Sequence, residues 1–215
     1  MGDVFDFVVA ADRAALMTAL EVEPGLLGAR HASGASLIAY AAYHGQNDLA
    51  RELGQRAKPL DPLDAIIIGD QRSVEHALQA GWDANALSGD GFTPLALACF
   101  FSNEPAFQRL LPLTQDINHR ANNPQQVAAL HAATARRATG MVEALLRAGA
   151  DPNLKQAEGF RPLHAAAQHG DLMIAGLLLV AGAHPRSETD SGKTAADYAR
   201  EAGHIWLAGR LQRLM

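Results

Sequence analysis

The stretch Gly159-Phe160-Arg161-Pro162-Leu163-His164-Ala165-Ala166-Ala167-Gln168-His169-Gly170-Asp171 runs on to Leu177-Leu178-Leu179-Val180-Ala181-Gly182-Ala183. It reads as two helices, each stopped by a glycine. Pro162 suits a first helical position, because the N–H that it lacks has no partner there. Ala165, Ala166 and Ala167 keep the first helix thin, so a neighbouring helix can approach closely. Gly170 takes the left-handed conformation that ends a helix cleanly. Ile174, Leu177 and Leu178 then recur at helical spacing on a second helix that ends at Gly182. The pattern predicts a helix-turn-helix unit that cannot bury its apolar face alone.

Copies of the unit recur along the chain. Thr93-Pro94-Leu95-Ala96-Leu97-Ala98 and Thr194-Ala195-Ala196-Asp197-Tyr198-Ala199 repeat the first-helix pattern, with breaks at Ser102 and Gly203. Weaker copies place the break at Asp12, Gly45, Gly69 and Arg137. Successive breaks lie 33, 24, 33, 35, 33 and 33 residues apart. A second break follows 12 residues later in three copies, at Gly81, Gly149 and Gly182. Val142, Leu145 and Leu146 repeat the second-helix spacing. Asp83-Ala84-Asn85, Asp116-Ile117-Asn118 and Asp151-Pro152-Asn153 are turn formers that lead into extended connectors.

Residues 159–183 resemble a near-consensus ankyrin repeat, a family whose period is 33 residues. The resemblance extends over essentially the whole chain and is strongest across residues 83–215. It implies an all-α solenoid of stacked helix-turn-helix units with projecting hairpin loops, six to seven repeats including both caps. The expected organisation is a single domain, 1–215. An N-cap repeat covers 1–30, internal repeats cover 31–57, 58–85, 86–118, 119–153 and 154–186, and a C-cap repeat covers 187–215. Terminal repeats should differ because their outer faces meet water. At the start, Val8, Val9, Leu16 and Leu20 are expected to face inward. At the end, Leu207, Leu211 and Leu214 share one face of the last helix, opposite Arg210 and Arg213. Both caps are expected, so the chain reads as a complete protein. The spacing of 24 leaves no room for a projecting hairpin between Gln55 and Asp61, and Asp61-Pro62-Leu63-Asp64 stands one position out of register there. The spacing of 35 places two extra residues in the loop 118–126.

Composition narrows the function. The chain has 215 residues, 18 Lys+Arg against 23 Asp+Glu, and a net charge of −5. No basic block interrupts this acidity, which argues against nucleic acid or a lipid surface as partner. The single cysteine, Cys99, fits a reducing compartment. Residues 1–13 lack the cationic start of a secretory signal, and no apolar run approaches the length of a membrane span. A cytoplasmic monomer is expected.

Chemistry-bearing residues are present without a chemical pattern. His131 and His164 occupy the family's Leu-His position, where the imidazole bonds locally, and the other histidines form no zinc-binding spacing. Cys99 stands where the repeat wants a small buried residue, and Gly89-Asp90-Gly91 reads as a hairpin tip. No catalytic residue, metal site or cofactor is expected, and the chain is read as not being an enzyme. The resemblance implies a concave face built from the residues before each first-helix break, together with hairpin tips. Carried over position by position, that face holds Tyr43, His44, Ile67, Ile68, Phe100, Phe101, Ala135, Arg136, Gln168 and His169, with Phe92 and Phe160 beside it. Seven of these are large and apolar, beyond what a merely solvated surface needs. The leading expectation is a protein-binding module acting as scaffold, adaptor or inhibitor. Two alternatives stay open: an immunity protein that neutralises a cognate toxin, and an effector that acts on a host protein.

Overall fold

The computed structural model describes residues 3–214, and the outermost positions of the expected caps, residues 1, 2 and 215, lie outside it. Fourteen α-helices follow one another in seven pairs among the described residues. They are α1 (Val4–Val9) with α2 (Arg13–Val22), α3 (Leu37–Tyr43) with α4 (Asn47–Arg56), and α5 (Pro62–Ile68) with α6 (Gln71–Gln79). Next come α7 (Pro94–Phe100) with α8 (Glu104–Leu110), α9 (Ala129–Ala135) with α10 (Thr139–Arg147), α11 (Pro162–Gln168) with α12 (Leu172–Val180), and α13 (Ala195–Glu201) with α14 (Ile205–Arg213). No strand is present among the described residues, only two isolated bridges at hairpin bases, Arg30 to Ser36 and Glu188 to Thr194.

One backbone device separates the helices of every pair. A residue at positive φ follows the first helix: Ala11, Gly45, Gly69, Ser102, Arg137, Gly170 and Gly203. The next residue donates its N–H to the carbonyl five positions back in all seven, from Asp12 to Phe7 through to His204 to Ala199. This is the 6→1 bond that closes a helix around a left-handed residue. The first break is therefore Ala11 and not Asp12. Asp12 instead caps α2, its Oδ1 accepting from the Ala15 N–H at 2.9 Å. In the irregular pair, Gly69 follows α5 directly, whereas elsewhere one more residue intervenes. Asp64 is thus the third residue of α5, as His164 is the third of α11. The misregister lies at the end of this helix and not at its start.

Tertiary contacts divide the chain into two compact units, one ending at Pro94 and the other beginning at Leu95. In the first unit α3 packs on α1, α4 and α5. Val8, Leu16, Leu20, Leu37, Leu53 and Ile66 are buried there, but Val9 points to solvent at 61% exposure. No hairpin occurs between α4 and α5 among the described residues. The hairpins on either side of this gap meet directly: a Cβ added to Gly34 would fall on the Gly89 carbonyl oxygen, and one added to Gly89 would fall on that of Gly34. Only two glycines permit such a contact.

In the second unit α9, α11 and α13 stack in series through buried alanines such as Ala133, Ala166 and Ala196. The second helices bury Val142, Leu145, Ile174, Leu178, Leu207 and Leu211. Leu146 and Leu177 are part-exposed, and Leu214 lies beyond α14 at 54% exposure instead of on its buried face. Hairpins close with a backbone bond from Gln156 to Phe160 and from Thr189 to Lys193, four residues apart. The corresponding bond from Ala121 to Val127 spans six, which accounts for the two extra residues of that repeat. His131 and His164 join consecutive repeats. The Ala128 N–H donates to His131 Nδ1 at 3.2 Å, so His131 Nε2 carries the proton and donates to the Leu154 carbonyl at 2.8 Å. His164 repeats the arrangement, accepting from Arg161 N–H at 3.0 Å and donating to the Ser187 carbonyl at 2.9 Å. Burial lowers both imidazole pKa values, that of His131 to about 4.

Two predictions follow from these constraints. Gly34→Ala should destabilise the first unit by about 2 kcal/mol or more, since both a left-handed φ and a backbone collision oppose it. Gly45→Ala, with open space at its Cβ position, should cost only about 1 kcal/mol. Hydrogen exchange should show the larger loss concentrated in residues 29–40 and 86–92; equal losses would remove the tip contact as a constraint. For His131, an unfolded imidazole takes its proton near pH 6.5 and the folded one only near 4. Its contribution, about 3 kcal/mol, is fully present above pH 6.5 and drains away as pH falls toward 4. Nitrogen NMR should find the neutral Nε2–H form throughout that window, and His131→Gln should flatten the matching part of the stability profile.

Candidate protein-binding surface

The ends of the first helices carry the expected surface residues, and each unit presents its own set. In the first unit, Tyr43 ends α3 and His44 caps it. His44 is exposed, with Nδ1 at 2.9 Å from the Tyr40 carbonyl and its ring 4.3 Å from the Tyr40 ring. Tyr43 and Phe92 are part-exposed, their ring centroids 6.3 Å apart. Burial, and then the neighbouring Asp90 carboxylate, hold the Tyr43 hydroxyl in its protonated form well above the usual range. Ile67 is buried at 8% exposure and belongs to the core. Ile68 is part-exposed and lies over Gly54, where an added Cβ would strike its Cδ1.

The second unit offers the more open set. Phe100 and Phe101 are both part-exposed and meet edge to face, centroids 5.1 Å apart at 76°. The exposed Arg136 guanidinium stands 5.4 Å from the centre of the Phe100 ring. Ala135 and Gln168 are exposed and His169 is part-exposed. Phe160 behaves differently: its ring packs edge to face on Tyr198 at 5.2 Å and lies 5.3 Å from His164. Its area is spent inside the repeat stack. Cys99 is fully buried, and desolvation pushes its thiol pKa far up.

Asp64 stands in the amino-acid sequence only as the last residue of the out-of-register Asp61-Pro62-Leu63-Asp64, with no sign of its surroundings. It is buried, and its Oδ1 accepts from Ser36 Oγ at 2.5 Å. The pocket around it also holds Arg30, Asp61, Ser88 and Asp90. Burial pushes its pKa up to about 6, with Asp61 and Asp90 adding to the rise and Ser36 and Arg30 opposing it. Aligning this repeat on Pro62 instead of Gly69 puts Asp64 in the place of His164, and that alignment is the signal that would have marked it. Among the described residues, no group of three or more His, Cys, Asp or Glu side chains is arranged to hold a metal ion. No helix there is long and apolar enough to cross a membrane.

Paired helices, left-handed breaks and histidine-linked hairpins define a helical repeat protein. The family model described as ankyrin repeats in three copies matches residues 63–156 and 130–212, more than half of the chain. The chain belongs to the ankyrin repeat family, whose members are generally protein–protein interaction modules. No curated protein matches it.

Asp64 generates a prediction of opposite sign to that of His131. Its folded pKa of about 6 lies above the ordinary carboxylate value, so its favourable contribution is complete below about pH 3.8 and is lost as pH rises through 6. Asp64→Asn should therefore stabilise the protein by about 2 kcal/mol at pH 7.5 and have little effect near pH 3.5. Denaturant unfolding at the two pH values checks this; an equal effect at both would mean that the carboxylate ionises freely in the fold.

Proposed function

We propose that this chain is a non-enzymatic binding module that takes a partner protein on the first-helix face of its second unit, around Phe100, Phe101, Arg136, Gln168 and His169. The observation that carries this reading is the part-exposed pair Phe100–Phe101 with the Arg136 guanidinium beside it. Two adjacent aromatic rings flanked by arginine have the composition of an interface hot spot, and a purely solvated helix end has no use for them. Tyr43, His44, Ile68 and Phe92 are the first unit's own set of candidate contact residues. The module serves as scaffold, adaptor or inhibitor, as a cytoplasmic monomer. The repeat boundaries drawn from the sequence, and their membership of one domain, belong to the same proposal. The reactive side chains have structural uses that support a non-catalytic role. His131 and His164 bond backbone groups of two repeats, and the Cys99 thiol is buried.

Phe101→Ala should weaken partner binding by about 2 kcal/mol, roughly thirtyfold, and Arg136→Ala by a smaller factor. Arg147→Ala, on the exposed side of α10, should leave affinity unchanged. Calorimetric titration against the protein recovered by affinity capture measures all three, with circular dichroism to show that each variant is folded. Unaltered binding by folded Phe101→Ala protein would place the interface elsewhere.

A further inference from the structure

A second apolar surface lies on the second helices of the last two pairs. Leu172 and Met173 open α12, and Ile205 and Trp206 open α14; they are 53%, 64%, 64% and 63% exposed. The same two positions of the five earlier pairs hold Arg13 and Ala14, Asn47 and Asp48, Gln71 and Arg72, Glu104 and Pro105, and Thr139 and Gly140. The repeat therefore does not require large apolar groups there, and core packing does not use them. Leu172, Ile205 and Trp206 line one shallow groove, floored by Gly170 and His204. Ile205 and Trp206 also line a second, whose other walls are Gly209, Arg210 and Arg213. The Arg210 guanidinium stands 5.1 Å from the centre of the Trp206 ring. No carboxylate lines either groove, and neither Arg210 nor Arg213 forms an ion pair among the described residues.

We infer that this surface binds an acidic segment of a partner protein, in which an apolar side chain is flanked by Asp or Glu. The apolar anchor covers Trp206, Ile205 and Leu172, and the carboxylates pair with Arg210 and Arg213. Charge complementarity selects this occupant: among the described residues the charged side chains that line the groove are Arg210 and Arg213, on a chain whose net charge is −5. A guanidinium lying over an indole still offers its N–H edge to a carboxylate, so Arg210 can hold both groups. The face is formed around the starts of second helices and shares no residue with the first-helix set of the proposed interface.

The test uses a phage-displayed library of random peptides, selected on the intact protein. Enriched peptides should combine an aromatic or aliphatic anchor with neighbouring Asp or Glu. The chain has two tryptophans, so in a Trp82→Phe background Trp206 is the sole indole. Its emission should shift to the blue when the leading synthetic peptide is added. Arg210→Glu with Arg213→Glu, or Trp206→Ala alone, should weaken that peptide about tenfold or more, and raising the salt should weaken it further. Phe101→Ala should leave it unchanged, which separates this surface from the first-helix face. Enriched peptides that are basic, or that bind the charge-reversed variant equally well, would overturn the inference. So would a blue shift produced by protein concentration alone and accompanied by dimer sedimentation, because a second copy of the chain would then be the occupant.

Discussion

The stack rests on one backbone constraint: the turn inside every pair must be made by a single residue at positive φ. Only there can the following N–H reach back five residues and close the first helix, so that the second helix starts at a repeated angle. Glycine meets the constraint without strain at four of the seven breaks, whereas Ala11, Ser102 and Arg137 adopt it at a cost of about 1 kcal/mol each. The surroundings of Arg137 help to hold it there, since its Nε donates to the buried Asp171 carboxylate at 3.1 Å. Asp171 also caps α12, accepting from the Ile174 N–H at 3.1 Å. One carboxylate thus ties the break of one repeat to the second helix of the next.

The third residue of the first helix does a related job in two different ways. His131 and His164 accept an N–H from their own helix start and donate forward to the connector of the next repeat. Asp64 has no proton to donate in its ionised form and instead accepts backward, from Ser36 of the preceding repeat. That link belongs to the place where a hairpin is missing and the flanking hairpins close the gap through Gly34 and Gly89. The result is a buried acid among Asp61 and Asp90, with Arg30 as the cation in its pocket. The shortened repeat therefore keeps its neighbours by a different chemistry from the regular ones.

The proposed binding role rests on what the helix pairs leave unused. A repeat buries its small first-helix residues and one face of each second helix, so a large apolar group that stays exposed or part-exposed outside those positions is a candidate contact for the proposed partner. In the second unit, Phe100 and Phe101 meet this criterion on the first helices, and Trp206 with its neighbours meets it on the second helices. Arginine flanks both sets, Arg136 beside Phe100 and Arg210 beside Trp206, and a guanidinium in such a place can offer its N–H edge to a carboxylate of the proposed partners.

The period, the helix pairs, the breaks and the irregular spacings were all legible in the amino-acid sequence. They follow from local rules about glycine, proline, turn formers and helical periodicity, which act over a few residues and recur every 33. The first break was misplaced by one residue because Ala11 carries no glycine signal and Asp12, the visible marker, is a helix cap. Which surface candidates stay open was decided by tertiary structure alone. Ile67 is core, Phe160 is occupied by Tyr198, and the Tyr43 hydroxyl is engaged by Asp90, each through a residue 20 or more positions away or through the closed gap of the short repeat. The burial of Asp64 and the Gly34–Gly89 contact depend on the same long-range approach. At these positions burial is set by what distant segments bring to the side chain, which helical periodicity alone does not fix.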